Sequence, residues 1–357
     1  MTPFVYISLF TVLFIYSVLT WNRKDISQVV PFLFVILICY GLGFRGNESG
    51  TDTSEYVIYF LKLREGIETR NFELMFYFIS KIIVHIFSID YVLFIFLVLQ
   101  LAFYFFGNRE LGITNTLASV LLFLAFMPGL DLATSAVRNF TCVSVGILIL
   151  SYVVRNRISS LWNIIPCLFH SSYVIVFALS FSRLQFNWIK LRIIQVISII
   201  FFAFSSSVSS AFVDDLFRQY TSGYGIFSKL SRYLVLDNEL FAPIIRLYFV
   251  VVSILITSFI LFINWRVKES NTDIVFIKLA NLTILGQAFY ALVSFSDFAY
   301  RFFYIYYAIA ICTLMYALSN YLKTKDAIVC YSALFVFGLF STYSSGKFLR
   351  YELFTFL

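Results

Sequence analysis

The chain has 357 residues, of which 61% are hydrophobic and 13% charged, against roughly 45–50% and about 25% in soluble domains. That excludes a water-soluble enzyme, a disordered chain and a single-pass anchor, and it supplies apolar length for roughly ten to twelve helical spans of about 20 residues. The net charge of +7 does not point to nucleic acid, because most Lys and Arg sit in short connections between apolar runs, where they set membrane orientation.

The first apolar run, 4–21, has no basic stretch before it and no small-residue cleavage site after it, so it reads as a retained span rather than a signal peptide. Further continuous runs cover 29–44, 91–107, 113–127, 132–154, 161–181, 192–211, 243–264, 274–295, 300–321 and 327–343. Because they are continuous rather than alternating, a transmembrane β-barrel is excluded. Two connections are long, 45–73 and 212–242. The stretch 74–87 is apolar but carries Glu73, Tyr77, Lys81 and His85 at four-residue spacing, a polar stripe along one face of an amphipathic helix.

Orientation follows from the tight loops. Arg23 and Lys24, Arg155 and Arg157, Arg183 and Lys190, Arg266 and Lys268, and Lys323 and Lys325 should all face the cytoplasm. One threading satisfies them together: 74–87 lies along the bundle, and 161–181, broken by Pro166, folds back as a re-entrant segment. The expected fold is therefore all-α. It is a single polytopic integral-membrane domain over 1–357 with about ten transmembrane helices, both termini outside, and 45–73 and 212–242 as outer loops. This threading gathers Arg45, Asp52, Glu73, Asp131, Arg138, Arg246, Asp297 and Arg301 on the outer face. A protein that needed only anchoring would not collect guanidinium and carboxylate groups there.

Several constellations carry chemistry. Asp131, Ser135 and Arg138 fall at spacings of four and three on the entry turns of a helix, so they share one face. Arg138 would then lie roughly 9 Å into the span, where a charge costs about 2.5–3.5 kcal/mol unless it faces the bundle interior; the plain alternative is an Arg that reaches the interface and pairs with Asp131. Asp297 and Arg301 repeat the spacing of four inside the aromatic run from Phe298 to Tyr307, which an interfacial aromatic belt also explains. His170 is one of two histidines and sits beside Pro166, Ser171 and Ser172; it either reaches a polar cavity or hydrogen-bonds a backbone carbonyl and does no more. Arg45 and Asp52 flank a glycine-rich turn and make an anion-and-hydroxyl site, with Thr51 or Thr53 capping a helix through Tyr56, Tyr59 and Phe60.

Metal chemistry has little support: the two histidines are far apart, and HExxH and CxxC are both missing. Nor is there a P-loop or GxGxxG, so no nucleotide cofactor is implied. Cys39, Cys142, Cys167, Cys312 and Cys330 lie inside apolar runs and read as small core residues.

The order of these features resembles the Wzy- and EpsG-type polysaccharide polymerases. The matching positions are Arg45, Gly50, Asp52, Thr53 and Tyr56; Glu73 with Phe76; Arg138; Phe169, His170 and Ser171; and Arg301. Asn139 departs from the pattern, since many relatives carry Gln after the Arg. The resemblance implies a glycosyltransferase-type enzyme that joins oligosaccharide repeat units carried on undecaprenyl diphosphate at the outer face of a bacterial inner membrane. It would use neither nucleotide nor metal, with a flippase and a chain-length regulator as partners. Asp52, Glu73 and His170 are then the candidates for the general base, Asp52 first. Arg138 and Arg301, supported by Arg45 or Arg246, would clamp the diphosphate, with Tyr56 and Asp297 completing the substrate-binding set. A lipid-linked oligosaccharide flippase and a membrane O-acyltransferase are the rival readings.

Overall fold

The computed structural model describes residues 3–23, 28–44, 52–67, 72–181, 186–205, 243–267, 272–294 and 299–344. Among the described residues every regular element is helical. A helix stands in each of the ten segments expected to cross: α1 (Pro3–Leu19), α2 (Val29–Gly43), α5 (Ile89–Glu110), α6 (Thr116–Ala125), α8 (Val137–Val154), α10 (Trp188–Ser205), α11 (Pro243–Arg266), α12 (Ile274–Val293), α13 (Ala299–Tyr321) and α14 (Thr324–Ser344). Six of them, α5, α8 and α11 to α14, are long and apolar enough to cross a membrane, which makes the chain a multi-pass membrane protein. The amphipathic segment is α4 (Leu74–Ile86), which buries Phe76, Ser80, Ile83 and Val84 while Lys81 and His85 face outward. A further short helix, α3 (Thr53–Arg64), lies within the first long connection. The second long connection, 212–242, falls outside the described residues.

The centre of the bundle is α13, 89% of whose apolar window is inside protein against 28% for the peripheral α14. It contains neither Gly nor Pro, so nothing interrupts its hydrogen-bond ladder. Around it pack α12, α11, α8, α6 and α7 (Met127–Thr134). Two helix starts are set by side chains that satisfy otherwise unpaired N–H groups. Asn115 accepts from Ala118 N at 2.9 Å, and Asp273 accepts from Val275 N at 2.8 Å.

Two irregular segments interrupt this regular frame. At Phe126 the backbone turns extended (φ −89°, ψ 146°) and α7 leaves α6 at 93°. Pro128 suits the first turn of the new helix because its missing N–H would be unpaired there anyway. Gly129 follows because a Cβ at that position would stand 1.8 Å from the Phe123 carbonyl oxygen. A second break at Ala136 (ψ 59°) separates α7 from α8. Asp131, Ser135 and Arg138 therefore do not share one helix face: Asp131 belongs to α7, Ser135 ends it, and Arg138 is the second residue of α8 rather than a site deep in the span.

The other irregular segment is 160–181. Residues Ser160–Leu168 form a 3₁₀ helix containing Pro166, a short 3₁₀ turn follows at Ser171–Tyr173, and α9 (Val174–Phe181) completes it. Its start and end meet, since Asn163 Nδ2 donates to Ser180 Oγ at 2.9 Å. Its tip is pinned to the opposite half of α8, where the Cys142 thiol donates to the Pro166 carbonyl at 3.2 Å. The segment is thus a hairpin laid against α8. Tyr173 packs so closely on α8 that a Cβ at Gly146 would lie 2.3 Å from its ring.

Candidate functional site

At the end of the bundle where α8 begins, three separate elements converge on Arg138. Glu73, the residue that starts α4, holds Arg138 Nη1 with one carboxylate oxygen at 3.0 Å. Its other oxygen accepts from the Ser171 backbone N–H at 3.2 Å, so the same carboxylate ties α8 to the hairpin tip. The Arg138 guanidinium lies over the Phe72 ring, 4.5 Å from its centroid, a cation–π contact that strengthens where water is scarce. The Tyr56 hydroxyl of α3 accepts from the Arg138 backbone N–H at 3.3 Å. Burial pushes the Tyr56 phenol up to about 12, with Arg138 pulling against it, so Tyr56 stays a protonated hydroxyl. Arg138 Nε is buried and finds no partner among the described residues.

His170 sits at the hairpin tip and is 2% exposed. Its Nδ1 lies 3.2 Å from the Ser172 backbone N–H and 2.6 Å from the Ser172 hydroxyl. A backbone N–H can only donate, so Nδ1 must be an acceptor and the ring proton must reside on Nε2. That Nε2 is buried without a partner among the described residues. Burial first, then the positive charges of Arg138 and Arg301, hold the imidazole well below its usual pKa, which keeps it neutral.

Asp131 and Tyr304 join α7 to α13 through a hydrogen bond from the Tyr304 hydroxyl to the carboxylate. Arg301, one turn earlier on α13, has its guanidinium 5.6 Å from the Tyr300 ring centroid, with Nε donating to the Tyr300 hydroxyl at 3.2 Å. Asp52 precedes α3. It does not cap that helix with its side chain, and the Thr53 hydroxyl donates to the Thr134 carbonyl at 3.2 Å rather than capping its own helix. The charges of Asp52 and Arg301 both act on Tyr56 and Tyr300.

Of the residues singled out in the sequence, the structure brings Tyr56, Glu73, Arg138 and His170 into one connected cluster, on whose members the charges of Asp52 and Arg301 act. Arg246 is the fourth residue of α11, and its side chain lies outside the described residues, as do Arg45 and Asp297 altogether. Three pairings carried no sequence signal: Phe72 beneath Arg138, the Ser171 backbone N–H on Glu73, and Tyr304 on Asp131. Their members are 66, 98 and 173 positions apart, so no local spacing reports them. Among the described residues no three His, Cys, Asp or Glu side chains converge as a metal site would need.

The basic loops gather at the other end. Arg155 donates to the Leu111 carbonyl at 2.9 Å, Arg157 pairs with Glu110 at 2.8 Å, and Lys278 reaches the Val154 carbonyl at 3.2 Å. Two polar ends separated by the apolar length of α8, one rich in Arg and carboxylate beneath short lateral helices, are the pattern of a multi-pass membrane protein. Residues 28–353 match the EpsG family, and the chain belongs to that family. It is a polysaccharide-polymerase-type membrane protein, a glycosyltransferase at the coarse level of reaction class. No curated protein and no solved structure matches the chain.

Proposed function

We propose that the chain joins oligosaccharide repeat units carried on undecaprenyl diphosphate into a surface polysaccharide, such as an O-antigen, at the outer face of a bacterial inner membrane. An acceptor sugar hydroxyl attacks the anomeric carbon of the donor. Its proton passes to a carboxylate, the bond from that carbon to the phosphate oxygen breaks, and the electron pair leaves on the lipid diphosphate. The largest electrostatic demand is the charge accumulating on that leaving group, which preorganised donors meet best. Neither nucleotide nor metal enters this scheme.

The observation that carries the reading is the setting of Arg138. Glu73 engages only Nη1, the Phe72 ring supports the plane, and Nε remains without a protein partner among the described residues. Such an arginine is oriented yet retains donors for phosphate oxygens. Arg301 supplies the second positive charge near His170. Glu73 has both oxygens engaged, and His170 has its basic nitrogen engaged. Asp52, the first of the three candidates in the sequence, is the general base in this scheme, while His170 offers an Nε2–H to the substrate.

A flippase would be expected to repeat its broken helices in matching halves. Among the described residues the breaks at 126, 136 and 166–173 all fall within 116–181, and α11 to α14 run uninterrupted. An O-acyltransferase would need a histidine base, which the Nε2–H tautomer of His170 is not. Replacing Arg138 or Arg301 by Ala should abolish chain extension while single repeat units still reach the outer leaflet, read on a ladder gel of surface polysaccharide. Long chains in both variants would refute the clamp, and loss of the single-unit product as well would favour the flippase.

A further inference from the structure

At the opposite end of the bundle from Arg138, a cavity of about 610 Å³ lies between the end of α8, the link that follows it, the end of α9 and the first turns of α12. That is within the range of roughly 300–1,000 Å³ found for sites that enclose a small molecule. Its polar part centres on Lys278, with Asn156 and Asn281 beside it, and its apolar part on Leu179, Leu282 and Leu285. Lys278 is the fifth residue of α12, about 6 Å along the helix from its start, the depth at which lipid headgroups meet hydrocarbon.

The lysine is held by neutral acceptors. Its ammonium donates to the Val154 carbonyl at 3.2 Å and to Asn156 Oδ1 at 2.6 Å, and an ammonium has three protons to give. Asn156 takes up a left-handed backbone (φ 57°) in the turn that presents this oxygen. No carboxylate lines the cavity among the described residues, and Glu110, the neighbouring acid, is bound to Arg157 at 2.8 Å. The cavity thus keeps a positive charge that no lining acid balances.

Its apolar wall continues. Leu179 and Leu282 also line a much narrower crevice of about 20 Å³ between α9 and the α12–α13 pair, which extends to Ser172 at the hairpin tip. A cation at headgroup depth joined to the apolar track of Leu179, Leu282 and Leu285 matches an amphiphile with one anionic head and a hydrocarbon chain. Basic pockets between membrane helices hold anionic phospholipid headgroups by this combination.

We propose that the cavity is a binding site for one anionic phospholipid, whose phosphate pairs with Lys278 and one of whose acyl chains lies against Leu179, Leu282 and Leu285. The site stands on residues outside the Arg138 cluster and does not depend on the polymerase reading. By filling the space between the end of α8, α9 and α12, the bound lipid supports the hairpin at its α9 end.

The test uses the purified full chain in detergent, with native mass spectrometry after addition of phosphatidylglycerol or phosphatidylcholine. The wild type should retain one phosphatidylglycerol. Lys278→Gln should weaken that retention about tenfold or more, the scale of a lost charge-assisted hydrogen bond, and Lys278→Arg should preserve most of it. Leu282→Trp, which leaves the charge and fills the apolar track, should also lose the lipid; it carries the test if Lys278→Gln folds poorly. Undiminished retention in Leu282→Trp or in a folded Lys278→Gln would overturn the proposal. So would equal retention of phosphatidylcholine, displacement by inorganic phosphate at the lipid's own concentration, or preferential capture of undecaprenyl phosphate.

Discussion

His170 separates two mechanisms that a single alanine substitution would confuse. Its Nδ1 accepts the Ser172 N–H at 3.2 Å, which assigns the proton to Nε2 and makes that edge of the ring a donor. Removing one hydrogen bond to a charged group costs about 1.5–3 kcal/mol, or roughly ten- to 150-fold in rate, whereas removing a general base costs typically 10²–10⁴-fold. Glutamine places a terminal N–H near the position of Nε2 but cannot serve as a base. His170→Gln should therefore retain most chain extension, and His170→Ala should lose about ten- to 150-fold. The pH dependence gives an independent reading. Burial, then Arg138 and Arg301, depress the imidazole pKa, so the neutral form is complete above the ordinary value of about 6.5. Its contribution to stability is complete above that value and is lost as pH falls from there through the lowered pKa. Extension of lipid-linked repeat units by the purified protein, followed by ladder gel between pH 6 and 8, should show no limb that His170→Gln removes. A glutamine variant as inactive as alanine, together with loss of such a limb, would refute the donor role and restore His170 as the base.

Asp52→Asn should reduce extension by about 10²–10⁴-fold with binding of the lipid-linked donor intact, measured as turnover against donor retention. Arg138→Lys keeps a charge but loses the planar fork; it should recover only part of the activity that Arg138→Ala loses in the same gel. Asp273 feels burial, which alone would raise its pKa, but the Tyr321 and Tyr316 hydroxyls and two helix N–H groups prevail and lower it. Asp273→Ala should therefore lower stability by about 1 kcal/mol or more in a denaturant or thermal melt, Asp273→Asn less. That contribution should hold above about pH 3.9 and vanish as pH falls through the lowered value. Gly146→Ala would drive a methyl into the Tyr173 ring and should cost about 1–3 kcal/mol by overpacking, seen as an earlier melt.

The helical class and the positions of the spans were legible because membrane insertion leaves its mark residue by residue: each apolar run of sufficient length becomes a helix. The amphipathic α4 was legible for the same reason, since its polar residues recur every four positions. The hairpin at 160–181 was readable from Pro166 and the flanking basic residues. What composition could not supply was the continuity of helices. The run 113–154 is apolar almost throughout, yet it bends at Phe126 and breaks again at Ala136. The cue was present in Pro128 and Gly129, but hydropathy does not weigh backbone geometry. The partner of Arg138 was not legible at all. Asp131 is the carboxylate at helical spacing, but the structure gives Arg138 to Glu73 and Asp131 to Tyr304, because the break at Ala136 removes the shared face on which the local pairing depended.

That exchange of partners explains why irregular backbone is concentrated where it is. Had α6 to α8 formed ordinary spans joined by a loop, Asp131 could have neutralised Arg138 locally, and no pocket between elements would be required. Turning α7 through 93° buries its backbone against α13 and α14, where protein rather than lipid satisfies its polar groups. The turn leaves the start of α8 open to α3, α4 and the hairpin tip, and all three supply contacts to the Arg138–Glu73 pair. An arginine fixed by three separate elements is held more firmly than one paired along its own helix, because displacing it requires moving helices rather than a single rotamer. The cost of the breaks is offset by preorganisation, and a site that must meet charge developing on a diphosphate draws its advantage from donors already in place.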